Sequence, residues 1–209
     1  MLDTRFPRVV GDVGNPLTFD FPVRYRTVHG ASPQRVVRER DPALLQPFVD
    51  AGRELIDKGA TAITTSCGFL VLFQRELQAA LPVPVWSSSL LQLAGLQDAG
   101  VVTADGASLS ADHLRAAGAA LMTPVEGLSP HCAFHRTLLN DEPTLDTDDA
   151  RAQTVAAAQR LIARHPQLST IVLECTNMPP YAEAVRVATG RDVLDITTLL
   201  RQRFQGLSR

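Results

Sequence analysis

Residues 53–68 read RELIDKGATAITTSCG, and residues 159–176 read QRLIARHPQLSTIVLECT. Each stretch combines a helical pattern ending in Leu-Ile, a polar turn, a β-rich run and then a cysteine. The match continues in register, because residues 83–91, VPVWSSSLL, correspond to residues 192–200, DVLDITTLL. Fragments that match in register across nearly half the chain indicate an internal repeat, so we expect two similar structural units.

The repeat predicts an α/β fold with two pseudo-symmetric lobes, each a short parallel β-sheet flanked by helices. Strands are predicted at 8–13, 61–66, 83–86, 100–104, 119–123, 170–174 and 192–196, and helices at 43–58 and 148–164. The proline-containing segment 15–40 fits neither period and is predicted to be a long surface loop. We expect residues 1–96 with the C-terminal helix 197–209 to form the first lobe and residues 97–196 the second. A ligand is then expected in the cleft between them.

Charge and composition exclude several classes of partner. Twenty basic residues nearly balance twenty-two acidic ones, so electrostatics gives no support to a nucleic-acid or membrane-surface role. No apolar run approaches the length of a bilayer span, and the first residues do not follow the secretory-signal pattern. A protein of this size does not need disulfides. We therefore expect a cytoplasmic protein with reduced thiols and a small-molecule ligand, and homo-oligomerisation is left open.

The sequence also gives no support to several cofactor sites or to a metal site. Lys58, the only lysine, ends a helical pattern, so pyridoxal phosphate has no credible anchor. No Walker A loop, GxGxxG, HExxH or paired CxxC is present. His131 and His135 have the spacing of a helical metal pair, but no third ligand accompanies them. Cys132, between them, has no counterpart in the repeat and is interpreted as structural or incidental.

Cys67 and Cys175 occupy equivalent positions in the two repeats, each between a predicted strand and a predicted helix. Ligands of open α/β sheets bind outside the carboxyl ends of the strands, so we expect both thiols to face one cleft. Free N–H groups and the dipole at a helix N-terminus are expected to lower the thiol pKa toward neutrality. Cys67 and Cys175 are therefore the predicted catalytic residues.

Small polar residues surround the two cysteines and are predicted to bind a substrate carboxylate together with the backbone N–H groups. The predicted substrate-binding residues are Asn15, Thr65, Ser66, Gly68, Phe69, Thr176 and Asn177. Asn15 is included because it follows the first predicted strand. Phe69 indicates a partly apolar wall.

Three segments resemble the aspartate/glutamate racemase superfamily: TTSCGF at 64–69, GVVTADGASLSADHL at 100–114 and LECTNMPPY at 173–181. That group includes aspartate, glutamate and hydantoin racemases, arylmalonate decarboxylase and maleate isomerase. The resemblance implies two pseudo-symmetric lobes, no cofactor and a carboxylate ligand between the lobes. The sequence also departs from the pattern of glutamate racemases. Asn177 stands where glutamate racemases have histidine, which disfavours glutamate as substrate.

Racemases of this superfamily commonly use both cysteines. Because this chain has both, the resemblance implies an isomerase of amino-acid metabolism. The expected reaction is cofactor-independent racemisation or epimerisation at the α-carbon of a small acid such as aspartate. One thiolate would remove the α-proton and the other thiol would return a proton to the opposite face. Two alternatives remain open: a cis–trans isomerase of an unsaturated diacid that uses one cysteine as nucleophile, and a non-catalytic protein that binds small acids or senses thiol oxidation.

Overall fold

The computed structural model describes residues 1–207 of the chain. Its α-helices are α1 (Leu45–Asp57), α2 (Gln74–Ala80), α3 (Ala111–Ala116), α4 (Ala133–Leu139), α5 (Thr147–Arg164), α6 (Ala182–Thr189) and α7 (Ile196–Leu207). Its strands are β1 (Ile63–Thr64), β2 (Val85–Trp86), β3 (Ala99–Thr103), β4 (Val125–Gly127), β5 (Thr170–Leu173) and β6 (Asp192–Leu194). The predicted C-terminal helix 197–209 corresponds to α7, and its last two predicted residues, 208 and 209, lie outside the described range.

The strands form two parallel sheets, as the duplicated pattern predicts. β1 pairs with β2, and the second sheet has the strand order β4-β3-β5-β6. Helices precede β1 and β5 in the same way, α1 before the first and α5 before the second. The predicted α/β class, with two small parallel sheets flanked by helices, is confirmed.

Burial explains why the strands of the larger sheet are apolar. Every residue of β3 is buried, and so are the last three residues of β5. Parallel strands covered on both faces have no solvent side, so their sequences lack polar alternation. The core cluster that includes these strands also takes in Phe48, Leu70 and Val185, so one apolar core extends through both halves of the chain.

Two predicted strands are wrong. Residues 8–13 form turns. Gly11 has a φ of +101°, a backbone conformation that residues with a Cβ rarely adopt, and the N–H of Asp12 donates to the C=O of Val9 at 3.0 Å. Residues 119–123 also form a turn, and β4 begins only at Val125. The other predicted strands and both predicted helices are present, with ends shifted by at most two residues.

The segment 15–40 is more than a surface loop. Residues Gln34–Arg38 form a π-helical turn, and Val28, Ala31 and Val37 are buried in the main core. Sequence periodicity did not predict this burial, because the buried side chains follow neither helical nor strand spacing.

Helix α7 packs away from the main core. Ile196 and Leu199 contact Val13 and Phe19 in a second cluster, against which Trp86 also packs. The division into lobes 1–96 plus 197–209 and 97–196 stays a prediction. No helix within residues 1–207 has both the length and the apolar character needed to cross a bilayer. Cytoplasmic location also stays a prediction.

Candidate active site

Cys67 and Cys175 line one small cavity. Cys67 follows β1 and precedes the 3₁₀ helix Gly68–Phe73, whereas Cys175 follows β5 and precedes the 3₁₀ helix Pro179–Tyr181. The cavity volume is about 30 Å³. The structure therefore brings together the two cysteines that the repeat places half a chain apart.

Hydrogen bonds between the two halves hold the strand ends together. The buried Thr176 hydroxyl donates to the C=O of Ser66 at 2.7 Å, and the Ser89 hydroxyl donates to the C=O of Leu173 at 2.7 Å. Within the first half, the N–H of Leu2 donates to the Ser66 hydroxyl at 2.9 Å. These bonds satisfy backbone groups that would otherwise be buried without partners. The small polar residues beside each cysteine therefore join the halves as well as lining the cavity.

Glu174 is a buried carboxylate in the same cavity, and the sequence analysis missed it. It is 1% exposed and accepts a hydrogen bond from the Thr103 hydroxyl at 2.7 Å. A Cβ at Gly68 would overlap both the carboxylate and the backbone C=O of Glu174, so only glycine fits there. The available signal was one acidic residue at the end of an otherwise apolar strand, TIVLE.

Burial dominates the electrostatics of the thiols. It raises the pKa of Cys67 to about 12, and the Glu174 carboxylate adds to the effect. The N–H groups of Phe69 and Leu70 and the charge of Arg8 oppose this rise in pKa. Burial and Glu174 also raise the pKa of Cys175 well above its ordinary value, opposed by the N–H of Asn177.

The expectation of lowered thiol pKa values is therefore wrong. Cys67 directly precedes a 3₁₀ helix, whereas the 3₁₀ helix after Cys175 begins only at Pro179, and both are short helices with few N–H donors. Loss of hydration and a neighbouring carboxylate disfavour the thiolate more than these donors favour it. A thiolate formed in this cavity is consequently a strong base.

The pKa of Glu174 is itself shifted. Burial raises its pKa to about 7, although the Thr103 hydroxyl opposes the rise. Because the folded protein holds this proton more tightly than the unfolded chain, stability falls as the pH rises from about 4.5 to about 7.

Glu174→Gln is expected to remove most of this pH dependence. The rise of the Glu174 pKa from 4.5 to about 7 corresponds to a cost on the order of 3 kcal/mol above neutrality. Urea unfolding at pH 5 and pH 8 measures it: the parent should lose about 3 kcal/mol more than the variant between these values. Glu183→Gln, at a side chain 73% exposed, is the matched control and should behave like the parent. Equal losses in parent and Glu174→Gln would contradict the assignment.

Arg8 is the cation beside the thiols, and the sequence analysis missed it too. Its guanidinium pairs with Asp12 at 3.3 Å, donates to the Thr4 hydroxyl at 2.8 Å and lies over the Phe6 ring at 4.6 Å. The side chain is only 11% exposed and lines the cavity. Asp12 also accepts a hydrogen bond from the Asn177 side-chain amide, which connects Arg8 to the loop after Cys175.

The predicted substrate-binding residues divide into two groups. Those that line the cavity are Ser66, Gly68, Phe69, Thr176 and Asn177. Asn15 does not line it. Its side-chain amide instead donates to the C=O of Arg8 at 2.7 Å, which helps to fix the backbone of Arg8. Thr65 does not line it either, since its hydroxyl donates to the C=O of Ser87 at 2.7 Å.

Cys132 and its neighbouring histidines lie outside the thiol cavity. The Cys132 sulfur caps α4 by accepting the N–H of His135 at 3.3 Å, in agreement with a structural role. Within residues 1–207, no three His, Cys, Asp or Glu side chains are grouped so as to hold a metal ion.

Comparison with known proteins identifies the family. The sequence is 33% identical over 210 residues to a dimethylsulfoniopropionate lyase of Durusdinium sp. clade D, covering 93% of this chain and 69% of that protein. The chain belongs to the dimethylsulfoniopropionate lyase family. The present chain is also 30% identical to dimethylsulfoniopropionate lyase 6 of Emiliania huxleyi, over 99% of this chain and 58% of that protein. The chain thus spans only part of the length of these relatives. No family model matches the sequence.

Solved structures show the fold of this lyase-family chain. Arylmalonate decarboxylase superposes with a TM-score of 0.56 at 18% identity, covering 83% of this chain and 76% of that protein. Aspartate racemase of Picrophilus torridus superposes with a TM-score of 0.50 at 13% identity, covering 82% and 74%. The predicted resemblance to the aspartate/glutamate racemase superfamily is thereby confirmed at the level of fold.

The prediction of a racemase, epimerase or other isomerase is wrong, because the relatives are lyases. The error has a chemical reason. Paired cysteines at strand ends indicate chemistry at a carbon acid, but removal of an α-proton begins both racemisation and elimination. The fate of the resulting carbanion depends on whether the substrate carries a leaving group, which the cysteine pattern does not specify.

Proposed function

We propose that this protein is a lyase that eliminates dimethyl sulfide from dimethylsulfoniopropionate. The proposal rests on one observation, which is that two thiols, a mostly buried cation and a buried carboxylate share a single cavity in a chain of this family. The substrate carries a dimethylsulfonium group on the carbon β to its carboxylate. A base removes the α-proton, the C–H electron pair forms the double bond of acrylate, and the carbon–sulfur bond breaks to release neutral dimethyl sulfide.

This elimination needs only one base, and the geometry favours Cys67. Its sulfur receives the N–H groups of Phe69 and Leu70 and lies in the field of Arg8. Cys175 receives the N–H of Asn177, and its thiol also lies near the Asn177 amide oxygen at 3.5 Å. Because the site offers more positive partial charge to Cys67, Cys67 is the thiolate that takes the α-proton. Cys175 remains a neutral hydrogen-bond donor.

The charges of the cavity complement those of the zwitterionic substrate. Arg8 and Glu174 both line the cavity, so Arg8 can bind the carboxylate and Glu174 can bind the sulfonium. As the α-proton leaves, negative charge grows on the substrate carboxylate, so the interaction with Arg8 strengthens toward the transition state. The sulfonium loses its charge in the same step, so Glu174 stabilises bound substrate more than the transition state.

The cavity around the thiols is narrow. Its volume of about 30 Å³ leaves room for about two water molecules. Dimethylsulfoniopropionate is larger than this, so its binding requires the lining to separate. The apolar part of the lining consists of Leu2, Phe6, Pro33, Val37, Phe69, Ala104, Leu138 and Leu139. Closure of these side chains over the substrate would exclude water and preserve the basicity of the thiolate.

Purified protein supplied with dimethylsulfoniopropionate tests the proposal directly. Headspace gas chromatography should detect dimethyl sulfide, and liquid chromatography should detect an equal amount of acrylate. Substrate deuterated at the α-carbon should react several-fold more slowly if proton removal limits the rate. Absence of both products, with retained binding of the zwitterion, would identify a non-catalytic binding protein instead.

The rate of elimination is expected to rise with pH by about tenfold per unit between pH 7 and 9, because the Cys67 pKa of about 12 leaves little thiolate at neutrality. Glu174→Gln should shift this profile to lower pH, since the carboxylate raises the pKa of both thiols. It should also raise KM, since the sulfonium loses its counter-charge. Steady-state kinetics across this pH range measure both effects, with Glu183→Gln as control. An unchanged KM together with an unchanged profile would contradict the role given to Glu174.

A further inference from the structure

Asp12 is a second buried carboxylate near the thiols, and the proposed elimination gives it no role. Its exposed fraction is 2%. It does not line the thiol cavity, but it contacts two residues that do, Arg8 and Asn177. Burial of a carboxylate is costly unless several donors satisfy it, so the partners of Asp12 indicate what it does.

The turn that carries Asp12 is fixed on both sides. The N–H of Gly14 donates to Oδ1 of Asp12 at 2.7 Å, so the side chain is held by its own turn. The N–H of Val13 donates to the C=O of Thr176 at 3.4 Å, which docks the turn on the loop after Cys175. The Asp12 carboxylate is therefore held in place beside this loop.

Asp12 orients the side-chain amide of Asn177. A carboxylate only accepts hydrogen bonds, so the amide nitrogen of Asn177 must face Asp12, and it donates to Oδ2 of Asp12. The amide oxygen of Asn177 is thereby turned toward Cys175, and it lies 3.5 Å from the sulfur. This oxygen accepts the S–H of Cys175, a bond that exists only while the thiol is protonated.

Asp12 also holds Arg8. Both of its carboxylate oxygens lie near the same guanidinium nitrogen, at 3.3 and 3.4 Å. Burial raises the pKa of Cys67, and the charge of Arg8 opposes that rise. Burial and Glu174 raise the pKa of Cys175, and the charge of Asp12 adds to that rise. The ion pair thus presents its cation to one thiol and its anion to the other.

We propose that Asp12 is the positioning residue that decides which cysteine of the pair acts as the base. It fixes Arg8 for Cys67, and it turns the Asn177 amide so that Cys175 keeps its proton. The assignment rests on the proposed lyase function, because elimination needs one base and the repeat supplies two equivalent cysteines.

Asp12→Asn reverses the hydrogen bonding around Cys175. The new amide keeps an oxygen for Arg8 but presents an N–H to Asn177. The Asn177 amide then has to turn its oxygen toward residue 12 and its own N–H groups toward the Cys175 sulfur. An N–H donor favours a thiolate, and so does the loss of the Asp12 charge.

Alkylation by iodoacetamide without substrate measures this reversal, with mass spectrometry of the peptides that carry Cys67 and Cys175. The thiolate is the reactive form, so the rate at each cysteine reports how much of it is ionised. In Asp12→Asn the rate at Cys175 should rise by about tenfold at pH 8, whereas the rate at Cys67 should stay the same or fall. An unchanged rate at Cys175, or equal acceleration at both cysteines from a loosened cavity, would overturn the proposal.

Asp12→Asn combined with Asn177→Asp exchanges the two side chains and keeps the net charge. The carboxylate at position 177 can again accept the S–H of Cys175, so alkylation of Cys175 should return to the parent rate or below it. Damage to the fold would not be repaired by this exchange. Fast alkylation of Cys175 in the exchanged protein would overturn the proposal, even if Asp12→Asn alone failed to fold.

Asp195→Asn is the matched control. Asp195 is 3% exposed and accepts the N–H of Thr197 at 2.7 Å and that of Thr198 at 2.9 Å, so it is a buried carboxylate held by backbone donors. It does not line the thiol cavity. Both cysteines should keep their alkylation rates within about twofold. Acceleration of Cys175 in this control to the level of Asp12→Asn would overturn the specific role of Asp12.

The alkylation test is independent of turnover. Absence of dimethyl sulfide release would refute the lyase function and leave the alkylation result readable. An active lyase in which Asp12→Asn leaves the alkylation of Cys175 unchanged would refute only the role of Asp12.

Discussion

Cys67→Ser is expected to lower kcat/KM for release of dimethyl sulfide by about 10³-fold. The serine hydroxyl keeps the shape of the side chain but does not ionise in this cavity, so the base is lost. Cys175→Ser should cost less, about tenfold, because a hydroxyl still donates a hydrogen bond. Headspace gas chromatography at fixed pH measures both rates, and the larger loss identifies the base.

Cys132→Ser is the matched control for this pair. Cys132 is the third free cysteine of the described residues and is buried, but it caps α4 and does not line the thiol cavity. Serine is a favoured helix cap, so the variant should keep both its fold and its rate within about twofold. Parent-like turnover in Cys67→Ser and Cys175→Ser alike would contradict a thiolate base.

Gly68→Ala is expected to reduce stability by about 3 kcal/mol and to abolish most of the activity. A Cβ at this position would overlap both the carboxylate and the backbone C=O of Glu174. Movement of the Glu174 carboxylate would relieve only the side-chain part of the overlap. The overlap with the backbone C=O would remain, so the strand end that carries Cys175 would have to move away from Cys67. A displacement of about 1 Å is enough to disturb catalytic alignment.

Gly206→Ala is the control, because it makes the same substitution in helix α7 with no atom within 4 Å of the new Cβ. It should leave stability unchanged or raise it by up to about 1 kcal/mol. Urea unfolding and the rate of dimethyl sulfide release compare the two variants. If Gly68→Ala matched Gly206→Ala in both measurements, the close approach of Gly68 to Glu174 would have no consequence for the site.

The repeat was the part of the sequence that carried most information. It predicted the α/β class, the equivalence of β1 and β5, and the positions of Cys67 and Cys175 at strand ends. Such features are readable because short-range patterns specify them: hydrophobic spacing specifies the elements, and strand ends in parallel sheets share one edge.

Local pattern failed where a backbone or electrostatic property depends on distant neighbours. The apolar run at 8–13 looks like a strand, but Gly11 turns the chain there and brings Arg8 to the thiols. The helix starts after Cys67 and Cys175 suggested lowered pKa values, yet burial against Glu174 raises them. Neither effect is visible in residues adjacent along the chain.

The sequence by itself determined the architecture, the pair of cysteines and, through its relatives, membership of a lyase family. Only the tertiary structure decided which charges face those thiols and how basic the thiols become. The physical reason is that pairing patterns are encoded within a few residues, whereas desolvation and charge proximity depend on groups that meet only after folding.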